Sequence, residues 1–106
     1  MFTVPTEITF FERLIPSILS ENKVITIRDE RESHYIPGSE VELFANEHRT
    51  HYGKLKILSV SKLQYSDINE YHAQQEGMEL SVLKTLIKEI YPTTDSLYLI
   101  EYRLIK

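Results

Sequence analysis

NKVITIRDERESHY, residues 22–35, holds the segment on which the fold assignment turns. Val24 to Arg28 reads as a β-strand, because β-branched side chains suit a pleated surface. With a period of two, Ile25 and Ile27 point one way and Val24, Thr26 and Arg28 the other. The segment opens on a lysine and runs into Arg28-Asp29-Glu30-Arg31-Glu32. Two readings follow: a core strand with a solvated end, or a strand that aims Lys23, Thr26 and Arg28 into a pocket. The residues by themselves leave both open.

Working outward, residues 8–21 have the spacing of an amphipathic helix. Phe10, Phe11, Leu14, Ile15, Ile18 and Leu19 recur at three- and four-residue intervals, and Thr9 with Glu12 has the pattern of a capping box. Pro16 opposes a continuous helix there, so a kink or a start later than Thr9 is expected. Beyond the strand, Pro37-Gly38 marks a turn. Residues 40–44 and 54–63 alternate as strands, with Val41 and Leu43 on one face, and 46–53 is a polar connection. Residues 66–75 have helical composition, with Ser66 or Asp67 as the cap and Gly77 as the stop. Residues 79–91 form the clearest helix, ended by Pro92, and 97–105 alternate as a last strand. Strands outnumber helices and do not alternate with them. That order predicts an α+β fold with a mostly antiparallel sheet, curled into a small barrel.

The chain has 106 residues, the size of one domain spanning 1–106. It has no cysteine, which removes thiol catalysis, disulfides and cysteine-ligated zinc. The formal net charge of −4 disfavours long nucleic acid as a partner, but leaves room for a local basic site holding one nucleotide. The N-terminal stretch lacks a basic start and is broken by Glu7, Glu12 and Arg13. It reads as neither a signal peptide nor a membrane span, and a cytoplasmic location is expected.

His48 and His51 stand three apart in a polar segment without a third ligand, so they read as exposed histidines and no metal is expected. Gly38, Gly53 and Gly77 are isolated, which excludes a phosphate-cradling loop, and the common hydrolase elbow is absent. The run from Arg28 to Glu32 mixes signs, as solvated loops do. Thr26 is an ordinary strand residue. Its stiff χ1 would also aim a hydroxyl well, given a base to take the proton. Lys23 could be that base only if neutral, and only about one lysine in a few thousand is neutral at pH 7 at the reference pKa. Burial and the charge of Arg28 would favour the neutral form; Asp29 would oppose it. Strict alternation puts Lys23 and Thr26 on opposite faces, so Lys23 has to bend in from the preceding turn. Glu76 sits at the C-terminal, negative end of a helix dipole, and His72 shares its helix face.

Taken together, Lys23-Val24-Ile25-Thr26-Ile27-Arg28-Asp29, Glu32-Ser33-His34, His72-Ala73 with Gln75-Glu76 and Met78, and Ile90-Tyr91-Pro92 form a recognisable pattern. On these segments the chain resembles the YqfB-like family of small bacterial ASCH-domain proteins, the N(4)-acetylcytidine amidohydrolases. The likeness runs from Ile8-Thr9-Phe10-Phe11 to the final strand. The resemblance implies a PUA-like fold, a small β-barrel flanked by helices, and hydrolysis of acetylated cytosine nucleosides without a cofactor. It carries the catalytic roles onto Lys23 as base, Thr26 as nucleophile and Glu76 as proton donor, with Arg28 and His72 as substrate-binding candidates. The small-molecule partner it implies is a modified nucleoside; oligomeric state is left open. The family's Gly-Arg pair before the lysine is Glu21-Asn22 here, and Asn22 is the residue expected to take a left-handed conformation. The competing reading is a non-catalytic PUA-like module that binds RNA or a modified nucleoside.

Overall fold

The computed structural model describes residues 5–106; the part of the N-terminal reading that concerns residues 1–4 lies outside them. Five strands, β1 (Glu7–Phe10), β2 (Ile25–Arg28), β3 (Glu40–Ala45), β4 (His51–Gln64) and β5 (Ser96–Ile105), and three helices, α1 (Ile15–Leu19), α2 (Glu70–Glu76) and α3 (Leu80–Ile90), make an α+β fold. The sheet order is β1-β3-β4-β5-β2. Only β1 with β3 is parallel; the other three pairings are antiparallel. The expected barrel takes the form of a curled sheet that does not close, since β1 and β2 are its two unpaired edges.

The largest departure from the sequence reading is at the N-terminus. Residues 8–10 are strand, paired through Ile8↔Leu43 and Phe10↔Ala45, and the helix proper begins only at Ile15. Thr9 caps nothing, and no capping box forms with Glu12. Pro16 decides the matter. It falls in the first turn of α1, where its missing N–H is no loss and its fixed φ suits the helix. A helix running through it from Thr9 would have lost a hydrogen bond and crowded the preceding turn.

Helix α1 ends in a Schellman motif. Asn22 N donates to Ser17 O at 3.0 Å and Glu21 N to Ile18 O at 3.1 Å. The left-handed residue is Glu21, with φ 64°, rather than Asn22. The geometry fixes this choice, because the left-handed position must directly follow the cap residue Ser20. A side chain is strained there, and the only ion pair Glu21 makes among the described residues is an exposed one with Lys106. Glu21→Gly is therefore expected to raise stability by about 0.5–1 kcal/mol, read as a higher midpoint in chemical denaturation.

Two apolar clusters lie on opposite faces of the sheet. One gathers Ile8, Phe10, Ile15, Ile18, Leu43, Leu55, Ile57, Ile100 and Tyr102 in the concave side. The other packs Ile27 and Leu97 against Ala73, Leu83, Ile87 and Tyr91 from α2 and α3. Strand β2 thus has no solvent face: all four of its residues are buried. Its register, Thr26↔Ile100 and Arg28↔Tyr98, turns Thr26 and Arg28 to the concave side, and Ile27↔Leu99 turns Ile27 to the helices. A polar pair buried on the inner face of a core strand needs partners, which the site supplies.

The other elements follow the pattern with shifted ends. β4 runs longer than expected and carries a register shift between Ile57 and Ser59. The segment read as a helix over 66–75 is a short 3₁₀ turn at Tyr65–Asp67 followed by α2. Its cap is Asn69, not Ser66 or Asp67: the Asn69 side chain accepts from Tyr71 N, and Asn69 N donates to His72 Nδ1. Gly77 is the stop, at φ 71°.

Candidate active site

Lys23 precedes β2 and is 2% exposed. Its Nζ donates to Ile25 O at 2.6 Å, so the side chain folds back along its own strand. That resolves the problem posed by strict alternation, since Lys23 enters from the turn. The same Nζ is in hydrogen-bonded contact with Glu76 Oε1. The main chain of Lys23 is fixed as well: its N donates to Ser17 O, and its O accepts from Tyr102 OH at 3.1 Å.

Glu76 ends α2 and is 4% exposed. Its place depends on Gly77. A Cβ at Gly77 would stand 3.2 Å from Asn22 O, so the glycine lets α2 abut the chain just before Lys23. Val24 N donates to Gln75 O at 2.8 Å and closes the same junction. The C-terminal ends of α1 and α2, far apart in sequence, thereby press the Lys23 amine and the Glu76 carboxyl together out of water.

Thr26 Oγ1 accepts from Arg28 Nε at 2.9 Å. Arg28 Nη2 donates to Thr9 O at 2.8 Å and Nη1 to Glu32 Oε2 at 3.2 Å. The guanidinium thus spans the open edge between β2 and β1. Phe10, also from β1, lies beneath both cations: Lys23 Nζ is 5.3 Å and Arg28 Cζ 4.8 Å from its ring centre. Lys23, Thr26, Arg28 and Glu76 line one cavity of about 210 Å³, walled on the far side by Leu83, Leu86, Ile87 and Ile90 of α3. A few polar side chains stand among a mostly apolar lining, the usual make-up of a small-molecule site.

Burial pushes the Lys23 ammonium below its ordinary value; Glu76 pulls it back up and Arg28 pushes it further down. The net direction is down, because the hydration the ammonium has lost outweighs the attraction of Glu76. Burial, aided in each case by a nearby glutamate, holds the phenols of Tyr91 and Tyr102 above the usual tyrosine range, so both stay protonated.

Of the residues singled out from sequence, Lys23, Thr26, Arg28 and Glu76 converge. His72 does not: it is buried at the other end of α2, where it completes the cap, and it is not among the side chains lining the cavity. His48 and His51 are surface residues, paired with Glu12 and Glu42 respectively. The charged run after Arg28 divides. Asp29 is buried and caps the 3₁₀ turn at Glu30–Glu32 through Glu32 N, Glu30 and Arg31 are exposed, and Glu32 lines the cavity. Sequence reasoning missed Thr9, Phe10, Asn46 and Tyr91 as cavity residues and gave Glu32 no role of its own. Thr9, Phe10, Glu32 and Tyr91 lie in segments that carry the family resemblance, but nothing in those segments assigned them to the site.

No family model matches the chain. Solved structures agree on the fold. An ASCH domain from Lactobacillus crispatus JV V101 has a TM-score of 0.73 at 17% identity, covering 87% of this chain and 70% of that one. The ASCH protein of Zymomonas mobilis has a TM-score of 0.73 at 10% identity, covering 91% and 64%. The fold is that of an ASCH domain. Sequence relatives narrow it. N(4)-acetylcytidine amidohydrolases of Vibrio campbellii and Vibrio parahaemolyticus are each 57% identical over 106 residues, covering all of this chain and 100% and 99% of theirs. That of a Vibrio cholerae strain is 53% identical over 104 residues, covering 98% of this chain and 91% of its own. The chain belongs to the N(4)-acetylcytidine amidohydrolase family.

Proposed function

We propose that this protein hydrolyses the exocyclic acetylamide of N(4)-acetylcytidine to cytidine and acetate, with Thr26 as nucleophile, Lys23 as base and Glu76 as proton donor. The observation that carries the reading is the buried Lys23–Glu76 contact on the same cavity as Thr26. The full-length relatives named for this activity support the substrate.

The chemistry runs as follows. Transfer of one proton along the Lys23–Glu76 contact gives a neutral amine and a carboxylic acid, and the loss of hydration by Lys23 favours its neutral form. The amine takes the Thr26 hydroxyl proton as Oγ1 bonds to the acetyl carbon. When the tetrahedral adduct collapses, the bond from that carbon to the cytosine exocyclic nitrogen breaks. Glu76 gives its proton to this nitrogen, which leaves poorly as an anion. Cytidine departs, and water attacks the acetyl-threonine ester, releasing acetate and restoring the hydroxyl. Arg28 supports the step by holding Thr26 Oγ1 and by placing a fixed positive charge where negative charge develops on the carbonyl oxygen.

The test is incubation of purified protein with N(4)-acetylcytidine, followed by absorbance as the acylated base is lost. Cytidine and acetate are the expected products. Tight binding of the nucleoside, or of acetylated RNA, without turnover would make the protein a reader of modified bases instead.

A further inference from the structure

A guanidinium is planar, so where Arg28 Nε points depends on how its two terminal nitrogens are held. One is fixed by Thr9 O on β1. The other rests on Glu32 Oε2, and the second oxygen of that carboxylate accepts from Tyr91 OH at 2.6 Å. Tyr91 is the residue that ends α3 and is 6% exposed, whereas the Glu32 side chain is 47% exposed. A half-exposed glutamate on a three-residue turn would otherwise sample several rotamers. Here the backbone below it is fixed by Asp29 Oδ1, which accepts from Glu32 N at 3.2 Å. Its tip is fixed by a phenol that burial keeps protonated, so Tyr91 donates and Glu32 accepts from both neighbours.

We propose that Glu32 and Tyr91 form a clamp that positions Arg28, and through it the hydroxyl of Thr26, for attack. With the Arg28 N–H occupying one lone pair of Oγ1, the threonine proton is directed away from Arg28 and is free to be taken by a base. The clamp also ties the C-terminal end of the apolar α3 wall to the polar side chains of the cavity. The inference rests on Thr26 being the nucleophile, and its test includes a readout that does not need turnover.

The variants are Tyr91→Phe, Glu32→Gln, Glu32→Ala and the double Tyr91→Phe/Glu32→Ala, each with N(4)-acetylcytidine kinetics and a thermal midpoint. Tyr91→Phe is expected to lower kcat by about tenfold and Glu32→Ala by about thirtyfold, with KM within about twofold, because the loss falls on the reacting geometry rather than on binding. Glu32→Gln keeps an oxygen for Arg28 and should retain more activity than Glu32→Ala. The double variant should be no slower than Glu32→Ala alone, since Tyr91 acts only through Glu32. Multiplying effects, an unchanged kcat, or a rise in KM with kcat intact would overturn the clamp; the last would make Glu32 a substrate contact. The readout independent of turnover is exchange of the Arg28 Nε hydrogen with water, followed by NMR. It should be slow in the parent protein and at least about tenfold faster in Tyr91→Phe and Glu32→Ala. Equal exchange in all of them sinks the clamp, whereas absence of turnover in the parent protein bears only on the proposed activity.

Discussion

Lys23→Met is expected to reduce turnover of N(4)-acetylcytidine by about a thousandfold or more while leaving a folded protein. General-base catalysis contributes roughly a hundred- to ten-thousandfold, and methionine keeps the length and apolar stem of lysine without a titrating nitrogen. The buried site tolerates this shape, since the Lys23 Nζ it replaces lies over the Phe10 ring, where a thioether also packs favourably. The same assignment fixes the pH dependence of the parent protein. On this assignment the active pair is neutral Lys23 with protonated Glu76, which carries one proton in all, so kcat/KM should fall once rising pH strips that proton, along a limb lying below the ordinary lysine value of 10.5. The groups facing Lys23 are Glu76 from α2, Arg28 from β2 and the Tyr102 phenol from β5. Tyr102 stays protonated through this range and adds no limb of its own. Stability moves the opposite way. Between the folded and unfolded values of Lys23 the unfolded chain holds more protons, so raising the pH through that window stabilises the fold and lowering it removes the gain. A rate that stays level or rises to pH values above that of an ordinary lysine would contradict the shared-proton role of Lys23 and Glu76.

Glu76→Gln is the second large effect. Glutamine retains an oxygen for the Lys23 contact but has no proton to give to the leaving nitrogen, so kcat should fall by about a hundred- to ten-thousandfold. Its signature is in the pH profile. Glu76 is the group that pulls the Lys23 ammonium up against burial and Arg28; without its charge the ammonium drops further. The residual activity of Glu76→Gln, which depends only on neutral Lys23, should therefore rise with pH through that lowered value, in contrast to the falling limb of the parent protein. A glutamate that served only the surface of α2 would shift neither the plateau nor the limb. The fold should survive, because a lysine left without its carboxylate can lose its proton rather than remain a buried unpaired charge.

These two residues also show how much was legible beforehand. The strand carrying Thr26 and Arg28, the long α3 and the stop at Gly77 follow from local rules: alternation, apolar spacing, and the left-handed freedom of glycine. Lys23 and Glu76 stand 53 residues apart, and no local rule pairs them; their contact depends on α2 closing against Asn22 through Gly77. Only the resemblance to a family placed both in one site. Strand β1 was hidden for a related reason. Ile8 and Phe10 give too few alternations to outweigh the helical spacing that continues to Leu19, and what makes the segment a strand is pairing with β3, more than thirty residues away. With β1 misread, its contributions to the site, Phe10 beneath the cations and Thr9 O on Arg28, could not be foreseen. Tyr91 stands in the segment Ile90-Tyr91-Pro92 that carries the resemblance, but a tyrosine at a helix end gives no sign of which carboxylate its hydroxyl will reach.

The most direct test of the central claim compares Thr26→Ala and Thr26→Ser with the parent protein in the N(4)-acetylcytidine assay. Removal of the nucleophile should leave cytidine release from Thr26→Ala at least about a thousandfold slower, with a single cooperative thermal transition, its midpoint lowered only by the loss of the acceptor for Arg28 Nε, to show that the fold is intact. Serine, which restores the hydroxyl without the stiff χ1, should recover part of the rate. Full activity in Thr26→Ala would contradict the account, because no acyl-threonine could then lie on the path.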